Sequence, residues 1–464
     1  MAIEQAAPAG SLASKGKLSL GTKLGFGVCD LGGNLFFTAM GFWSLYYLTD
    51  TVGVPAAAAG VAVMIGKLWD AVTDPMMGFI SDRTRTRWGR RRPWLLFGAL
   101  PLFLGMWWFF TNPNIADPVM ATIWAALALC FLNTAYTVVN IPYNSLTPEL
   151  TQDYHERTSL NGFRFGFAVF GTLLGAGAVL PIVNAFGNRN TGFSVIGAIL
   201  GLVMMVTALI TFASVREPDH SHEPKPTEKF FATFLAVFKN RHYVTILITY
   251  ALNLTALTFV QGILAYYFKY LYRNEAMTTL AMVLLLVTAM FCIPISVFVS
   301  KRIGKKRTYQ FSLAMLAISC IAIFFLGHIL GMSFFIAMMV FAGIGIGFGY
   351  VAPYAMVPDT VEFDAIKTGK RKEGAFYGMW TFTSKVGTSL AIALTGVILS
   401  LAKYIAPSTT DLSPFQPEST LFAIRMLIGP IPALTFIAAI VLVQFYALDE
   451  KTYAKILAEG KATS

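Results

Sequence analysis

The sequence predicts an all-α membrane protein of twelve transmembrane helices in two six-helix bundles. First, 56% of its 464 residues are hydrophobic and only 13% are charged, too apolar a balance for one water-soluble domain of that length. Second, apolar runs of about 20 residues, enough to cross a hydrocarbon layer of roughly 30 Å, follow one another between short polar breaks. Third, "PYNSLTPELTQDY" from Pro142 recurs in outline as "PYAMVPDTVEFD" from Pro353.

The expected spans are 24–49, 56–81, 93–111, 118–146, 160–186, 193–215, 242–270, 276–300, 308–330, 333–358, 374–402 and 418–447. Their runs are continuously apolar, whereas barrel strands would alternate with period two. The polar, lysine-bearing first twenty residues lack an apolar core ending in a small-residue cleavage site, which argues against a removed signal peptide. Basic loops such as "DRTRTRWGRRRPW", "KRIGKKR" and "KTGKRK" alternate with loops such as "TDTVGVP" and "NPNIADP" that hold no Lys or Arg. By the positive-inside rule both termini face the cytoplasm, which requires an even number of spans.

The same placement of charge bears on the net +11. The basic residues sit in particular loops and not on one soluble module, so they favour a lipid bilayer and exclude nucleic acid as the partner. Cys29, Cys130, Cys292 and Cys320 lie inside apolar spans without metal-ligand spacing, so neither a disulfide framework nor a zinc site is indicated. The five histidines form no metal spacing, no nucleophile elbow is visible, and "GIGIGFG" from Gly343 lacks a preceding soluble strand and a phosphate-loop lysine. Close helix packing accounts for those glycines, and no enzyme is expected.

The polar, proline-bearing "REPDHSHEPKPTEK" after the sixth span reads as a linker. The expected division is a tail 1–23, a bundle 24–215, a linker 216–241, a bundle 242–447 and a tail 448–464. Two similar six-span halves are the parallel-repeat plan of major facilitator transporters, which rock about a site between the halves.

The charged residues inside the spans point to that site. In "KLWDAVTDPMMGFISD", Asp70 and Asp74 are one helical turn apart, share a face with Lys67, and have Thr73 beside them. Counting from Gly60, Asp70 lies about 15 Å into its span and Asp74 about 6 Å deeper. Two like charges there are costly and repel each other. A small cation or a proton would complete such a site, since carboxylates and a hydroxyl offer hard oxygen ligands. An ion pair with Lys67 or Lys385 is the alternative.

The segments "WDAVTDPMMGFISDRTRTRWGRRRPW", "NIPYNSLTPELTQDYHERTSLNGFR" and "VPDTVEFDAIKTGKRKEGAFYG" resemble the signatures of the glycoside–pentoside–hexuronide:cation symporters, the melibiose permease-like family, over nearly the whole chain. The resemblance implies a coupling Na+, Li+ or H+ bound by Asp70 and Asp74, assisted by Thr73 and Thr137, with Lys385 in "TFTSKVGTS" close by. It implies no other cofactor, and a monomer as the family default.

Where the family holds its sugar, this chain departs from the pattern. The helix IV acid corresponds to Asn140 and the aromatic one turn later to Asn144, while the helix I acid falls near Gly32, with Asp30 and Asn34 nearby. Asn140 and Asn144 can still hydrogen-bond hydroxyl groups. Arg164 matches the family's helix V arginine and, with Lys385, could pair with a uronate; a structural partnership with Asp30 or Asp70 is the competing reading. Trp380 could stack on a sugar ring or simply pack. Tyr136 and Thr381 complete the expected substrate set. Arg425, near the start of span 12, reads as a side chain reaching the interface.

Asp82 and Arg83 beyond span 2, Glu149 beyond span 4, and Asp359 and Glu362 beyond span 10 could close the cytoplasmic side across the halves, or only fix topology. The expected function is cation-coupled symport of a sugar or glycoside, a uronide being one form, through the inner or plasma membrane. Its alternatives are a lysophospholipid symporter of the same broad group and a non-transporting sugar sensor.

Overall fold

The computed structural model describes residues 18–151, 153–217, 237–368, 373–407 and 411–448. The first seventeen residues, most of the expected linker, the tip of the "KTGKRK" loop and the C-terminal tail lie outside these. All regular elements among the described residues are helical, and one isolated bridge joins Thr86 to Gly89.

Nine described helices are long and apolar enough to cross a membrane. The expected twelve spans differ from that number for two reasons. The helices Cys29–Tyr47 and Arg92–Phe109, in spans 1 and 3, are 19 and 18 residues long but less apolar, the first carrying Asp30 and Asn34 and the second starting at Arg92. Spans 9 and 10 lie in one 64-residue element, Lys305–Thr368, broken at Gly331, whose φ of 78° is costly for any residue with a Cβ.

Polar side chains start several helices by accepting the free N–H groups of the first turn. Asp117 accepts from the Met120 N–H at 2.8 Å ahead of Pro118–Leu150, Asp153 from Glu156 at 2.8 Å ahead of Tyr154–Gly177, and Asn240 from His242 and Tyr243 at 3.1 Å ahead of Arg241–Tyr266. Glycines then let neighbouring backbones approach. A Cβ on Gly171 would lie 2.1 Å from the Leu31 carbonyl oxygen, and one on Gly347 2.5 Å from that of Ala289. The run "GIGIGFG" is thus a helix-packing surface against Met277–Ile303.

Contacts between the halves follow the repeat. Ala56–Arg83, the second long helix of the first half, packs on Glu373–Leu401, the fifth of the second. Reciprocally, Tyr154–Gly177 packs on Met277–Ile303, and the two leading helices, Cys29–Tyr47 and Arg241–Tyr266, meet each other. Both leading helices carry a Tyr-Tyr pair, Tyr46-Tyr47 and Tyr266-Tyr267, and both end in a π turn, Leu48–Val52 and Tyr267–Leu271.

These π turns lie at the far ends of the two leading helices, where the halves are joined by buried polar contacts. Lys269 Nζ lies 2.6 Å from Asp50 Oδ2, Tyr270 donates to the same oxygen at 2.7 Å, and Tyr404 donates to Asp50 Oδ1. Beside them Arg189 pairs with Glu275 at 2.5 Å, and Tyr46 donates to Glu275. Burial alone would raise the Glu275 carboxyl, but hydrogen bonding and charge from Arg189 outweigh it and hold the group below its ordinary value. Nearer the start of Tyr154–Gly177 there is open space: a Cβ on Gly162 or Gly166 would meet nothing within 4 Å.

Candidate functional site

The helix Ala56–Arg83 carries both aspartates, and Pro75 follows Asp74 directly. Proline has no N–H, so the helical hydrogen bond to the Ala71 carbonyl is missing beside the two acids. Asp70 is buried, at 5% exposure.

Two residues from other helices converge on the acids. Thr137 Oγ lies 2.7 Å from Asp70 Oδ1 and 2.9 Å from Asp74 Oδ1. Lys385 Nζ lies 2.6 Å from Asp70 Oδ2 and also contacts Asp74 Oδ2. A threonine hydroxyl has one hydrogen to donate. With both acids ionised, one of the two Thr137 contacts therefore sets oxygen against oxygen without a proton. The groups in direct contact, two carboxylates and one ammonium, carry a formal charge of −1, which a proton or a small cation would offset, while Lys67 adds a further positive charge one turn before Asp70 on the same helix.

Of the expected cation residues, the structure brings together Asp70, Asp74, Thr137 and Lys385. Thr73 stands apart, donating to the Asp70 carbonyl of its own helix at 3.2 Å. Between the two ion pairs weighed from sequence, the one formed is with Lys385.

The expected substrate residues divide into two groups. In the first half Arg164 Nε donates to Asp30 Oδ2 at 2.5 Å, its terminal nitrogens donate to Asp30 Oδ1, Thr147 and Asn144, and Asn144 donates to Asn140 at 3.1 Å. Four of the five guanidinium N–H groups are thereby engaged, so Arg164 is Asp30's partner in this conformation. Tyr143 also donates to Asp30 Oδ2 at 2.5 Å. Asn34 turns back to the Asp30 carbonyl, and Tyr136 stacks on Phe36 with ring centres 4.2 Å apart. A narrow crevice lined by Gly32, Gly33, Tyr136, Asn140 and Thr207 lies beside them.

In the second half Trp380 is only 6% exposed, because its face is covered by Tyr250, stacked at 4.1 Å and 12°. Thr381 is exposed and donates to the Tyr377 carbonyl. Arg425 donates to the Phe324 carbonyl at 3.0 Å and lies 3.1 Å from His328 Nδ1, so its side chain is held by neighbours.

Four ion pairs of the expected gating residues, among the described residues, each lie within one half. Asp82 pairs with Arg91, Glu149 with Arg90 and Arg91, and Asp359 with Lys305. Arg83 stacks its guanidinium on Phe79 of its own helix, and Glu362 follows Asp359 on the same helix. Glu217, at the start of the linker, accepts from the successive N–H groups of Arg90, Arg91 and Arg92 at 2.5, 2.8 and 2.9 Å. Burial and the adjacent Glu149 push its carboxyl up, against the lowering effect of those three donors.

Sequence reasoning does not reach Asp50, Lys269, Arg189 and Glu275, which bind the halves together, nor Tyr143 beyond its place in the Pro-Tyr repeat. The signal for the first pair was present: Asp50 and Lys269 are charges placed just after the two repeat-related Tyr-Tyr pairs.

A membrane-spanning chain with two related halves and charged groups gathered between them is a transporter of the major facilitator fold. Residues 25–450 match the family described as MFS/sugar transport protein, and the chain belongs to that family. It is 29% identical over 453 residues to the glucuronide carrier protein homolog of Escherichia coli (strain K12), covering 96% of each chain. It is 27% identical over 464 residues to the isoprimeverose transporter of Lactiplantibacillus pentosus, covering 98% of this chain and 95% of that one. Among solved structures, a bacterial homolog of the human lysosomal transporter Spinster, inward-facing and occupied, aligns with a TM-score of 0.67 at 14% identity, covering 94% of this chain and 97% of that one. The protein is therefore a secondary transporter and not an enzyme.

Proposed function

We propose that the protein imports a sugar or glycoside bearing an acidic group, driven by a cation, Na+, Li+ or H+, that enters at Asp70, Asp74 and Thr137. The observation that carries this reading is the lone Thr137 hydroxyl set between two carboxylates already sharing one ammonium.

Coupling follows from competition for the same oxygens. Lys385 and an incoming cation both need Asp70 and Asp74, and a cation seated there weakens the hold on the ammonium. Lys385 is then released toward the space between the halves, where it adds a positive charge beside Asn140, Asn144 and Arg164. An acidic sugar binds better once that charge is free, and by linkage its binding raises cation affinity by the same factor. The relative named for glucuronide carriage supports an acidic substrate; the relative named for isoprimeverose supports a glycoside. Alternating access then requires the Asp50–Lys269 and Arg189–Glu275 pairs to part when the far end opens. The alternation of basic and bare loops supports an orientation with that end outside the cell and both termini in the cytoplasm, in the inner or plasma membrane.

Uptake into proteoliposomes tests this. With an inward Na+ or H+ gradient the protein should accumulate a glucuronide above equilibrium, and Asp74→Asn should abolish the gradient dependence. Gradient-independent equilibration by both proteins would refute coupling, and binding without accumulation would make the protein a sensor.

A further inference from the structure

The two halves hold repeat-related triads of unlike chemistry across the central space. The offset that superposes Tyr46 on Tyr266 also superposes Asp30 on Tyr250, since both pairs differ by 220 positions, and the Pro142-Tyr143 and Pro353-Tyr354 echo superposes Tyr143 on Tyr354. In the first half Tyr143 and Arg164, the latter on that half's fifth long helix, both bond Asp30. In the second half the Tyr354 and Tyr250 hydroxyls lie 3.0 Å apart, and Trp380, again on the fifth long helix, stacks on Tyr250. One triad is charged. Its counterpart is aromatic.

The aromatic triad has one open member. Trp380 and Tyr250 cover each other and are 6% and 9% exposed, whereas Tyr354 is 51% exposed. Its surroundings place it in the interior of the molecule, because Tyr350, one turn away at 5.9 Å, reaches the Phe165 ring of the other half at 5.6 Å. Phe165 lies on the same helix as Arg164, and Tyr350 is within electrostatic reach of Asp30, so the charged and aromatic walls border one space. A ligand filling this space meets hydrogen-bonding and ionic groups on one side and a tyrosine face on the other.

From this geometry we propose that Tyr354 is a specificity-determining residue that receives the apolar aglycone of a glycoside whose acidic sugar ring lies against Asn140, Asn144 and Arg164. The Tyr250 hydroxyl and the Trp380 stack position the Tyr354 ring for this role. The class of substrate is then an acidic glycoside with an aryl or other apolar aglycone, in preference to the free sugar. This inference rests on the sugar reading above.

The test compares phenyl β-D-glucuronide with methyl β-D-glucuronide by calorimetric titration of the purified protein in saturating Na+ at fixed pH. Wild type should favour the phenyl compound about tenfold, the scale of one aromatic contact together with its buried area. Tyr354→Phe, which keeps the ring but loses its hydrogen bond to Tyr250, should retain most of that preference, and Tyr354→Ala and Tyr354→Leu should bring the ratio close to one; the leucine variant retains bulk should the alanine variant fail to fold. A ratio unchanged in both variants, or a wild type indifferent to the aglycone while binding methyl glucuronide, overturns the aromatic wall and leaves the sugar reading intact. Binding of neither probe by folded wild type overturns both.

Discussion

The Asp50 carboxylate and the Lys269 ammonium meet at 2.6 Å, one from each half, with side-chain exposures of 0% and 4%. Breaking a buried pair by removing one partner typically costs about 3 to 5 kcal/mol, because the other charge is left uncompensated. Asp50→Asn should therefore shift the protein toward a form open at the far end. In a background lacking the four cysteines, Asn34→Cys should react faster with an impermeant thiol reagent applied from that side when Asp50→Asn is added. Exchanging the two charges, Asp50→Lys with Lys269→Asp, should restore part of the protection. Equal labelling rates in all three proteins would remove Asp50 from any role in closure.

The Thr137 hydroxyl can be separated from the charges it touches. Thr137→Val keeps the shape and removes the oxygen, so the stabilisation by added Na+ or Li+ in a melting experiment should shrink, with apparent affinity falling about tenfold on the scale of one hydrogen bond to a charged group. Thr137→Ser should preserve the response. Wild-type cation affinity in the valine variant would exclude the hydroxyl from the site.

Glu275 makes a prediction about pH. Its carboxyl is held below its ordinary value of 4.5, with Arg189 overcoming the opposite effect of burial. Because the folded value is the lower one, the contribution to stability is present above about pH 4.5 and is lost as pH falls through the folded value. The melting temperature of wild type should exceed that of Glu275→Gln at neutral pH, and the gap should close below pH 4.5. A gap independent of pH would show that the carboxylate charge is not what holds Arg189.

Gly89 has φ of 104°, and a Cβ there would lie 1.8 Å from Glu217 Oε2. Gly89→Ala should both strain the backbone and expel the carboxylate from the three N–H groups it accepts, costing about 2 kcal/mol or more. Thermal denaturation in detergent measures this. An unaltered melting temperature would mean that the linker's first turn contributes nothing to the first half.

The sequence made some features legible because their cause is local. Membrane burial needs long apolar runs, so most spans were visible, and Asp70 and Asp74 stood out because charge inside such a run is costly. The convergence of Thr137 on both acids depends on how Pro118–Leu150 lies against Ala56–Arg83, which no spacing along one chain reveals. For Trp380 the sequence leaves sugar stacking and plain packing both open, and Tyr250, 130 residues earlier, covers its face. The far-end contacts stayed hidden because Asp50 and Lys269 sit at helix ends, where an isolated charge is ordinary and only the pairing of the halves makes it costly.

The repeat-related turns that carry Asp50 and Lys269 also bear on ancestry. Two identical copies meeting about a twofold axis would bring aspartate to aspartate and offer no lysine in return. The present closure requires two halves that have diverged from each other at these turns, and a symmetric pair of identical six-helix chains would have needed some other latch.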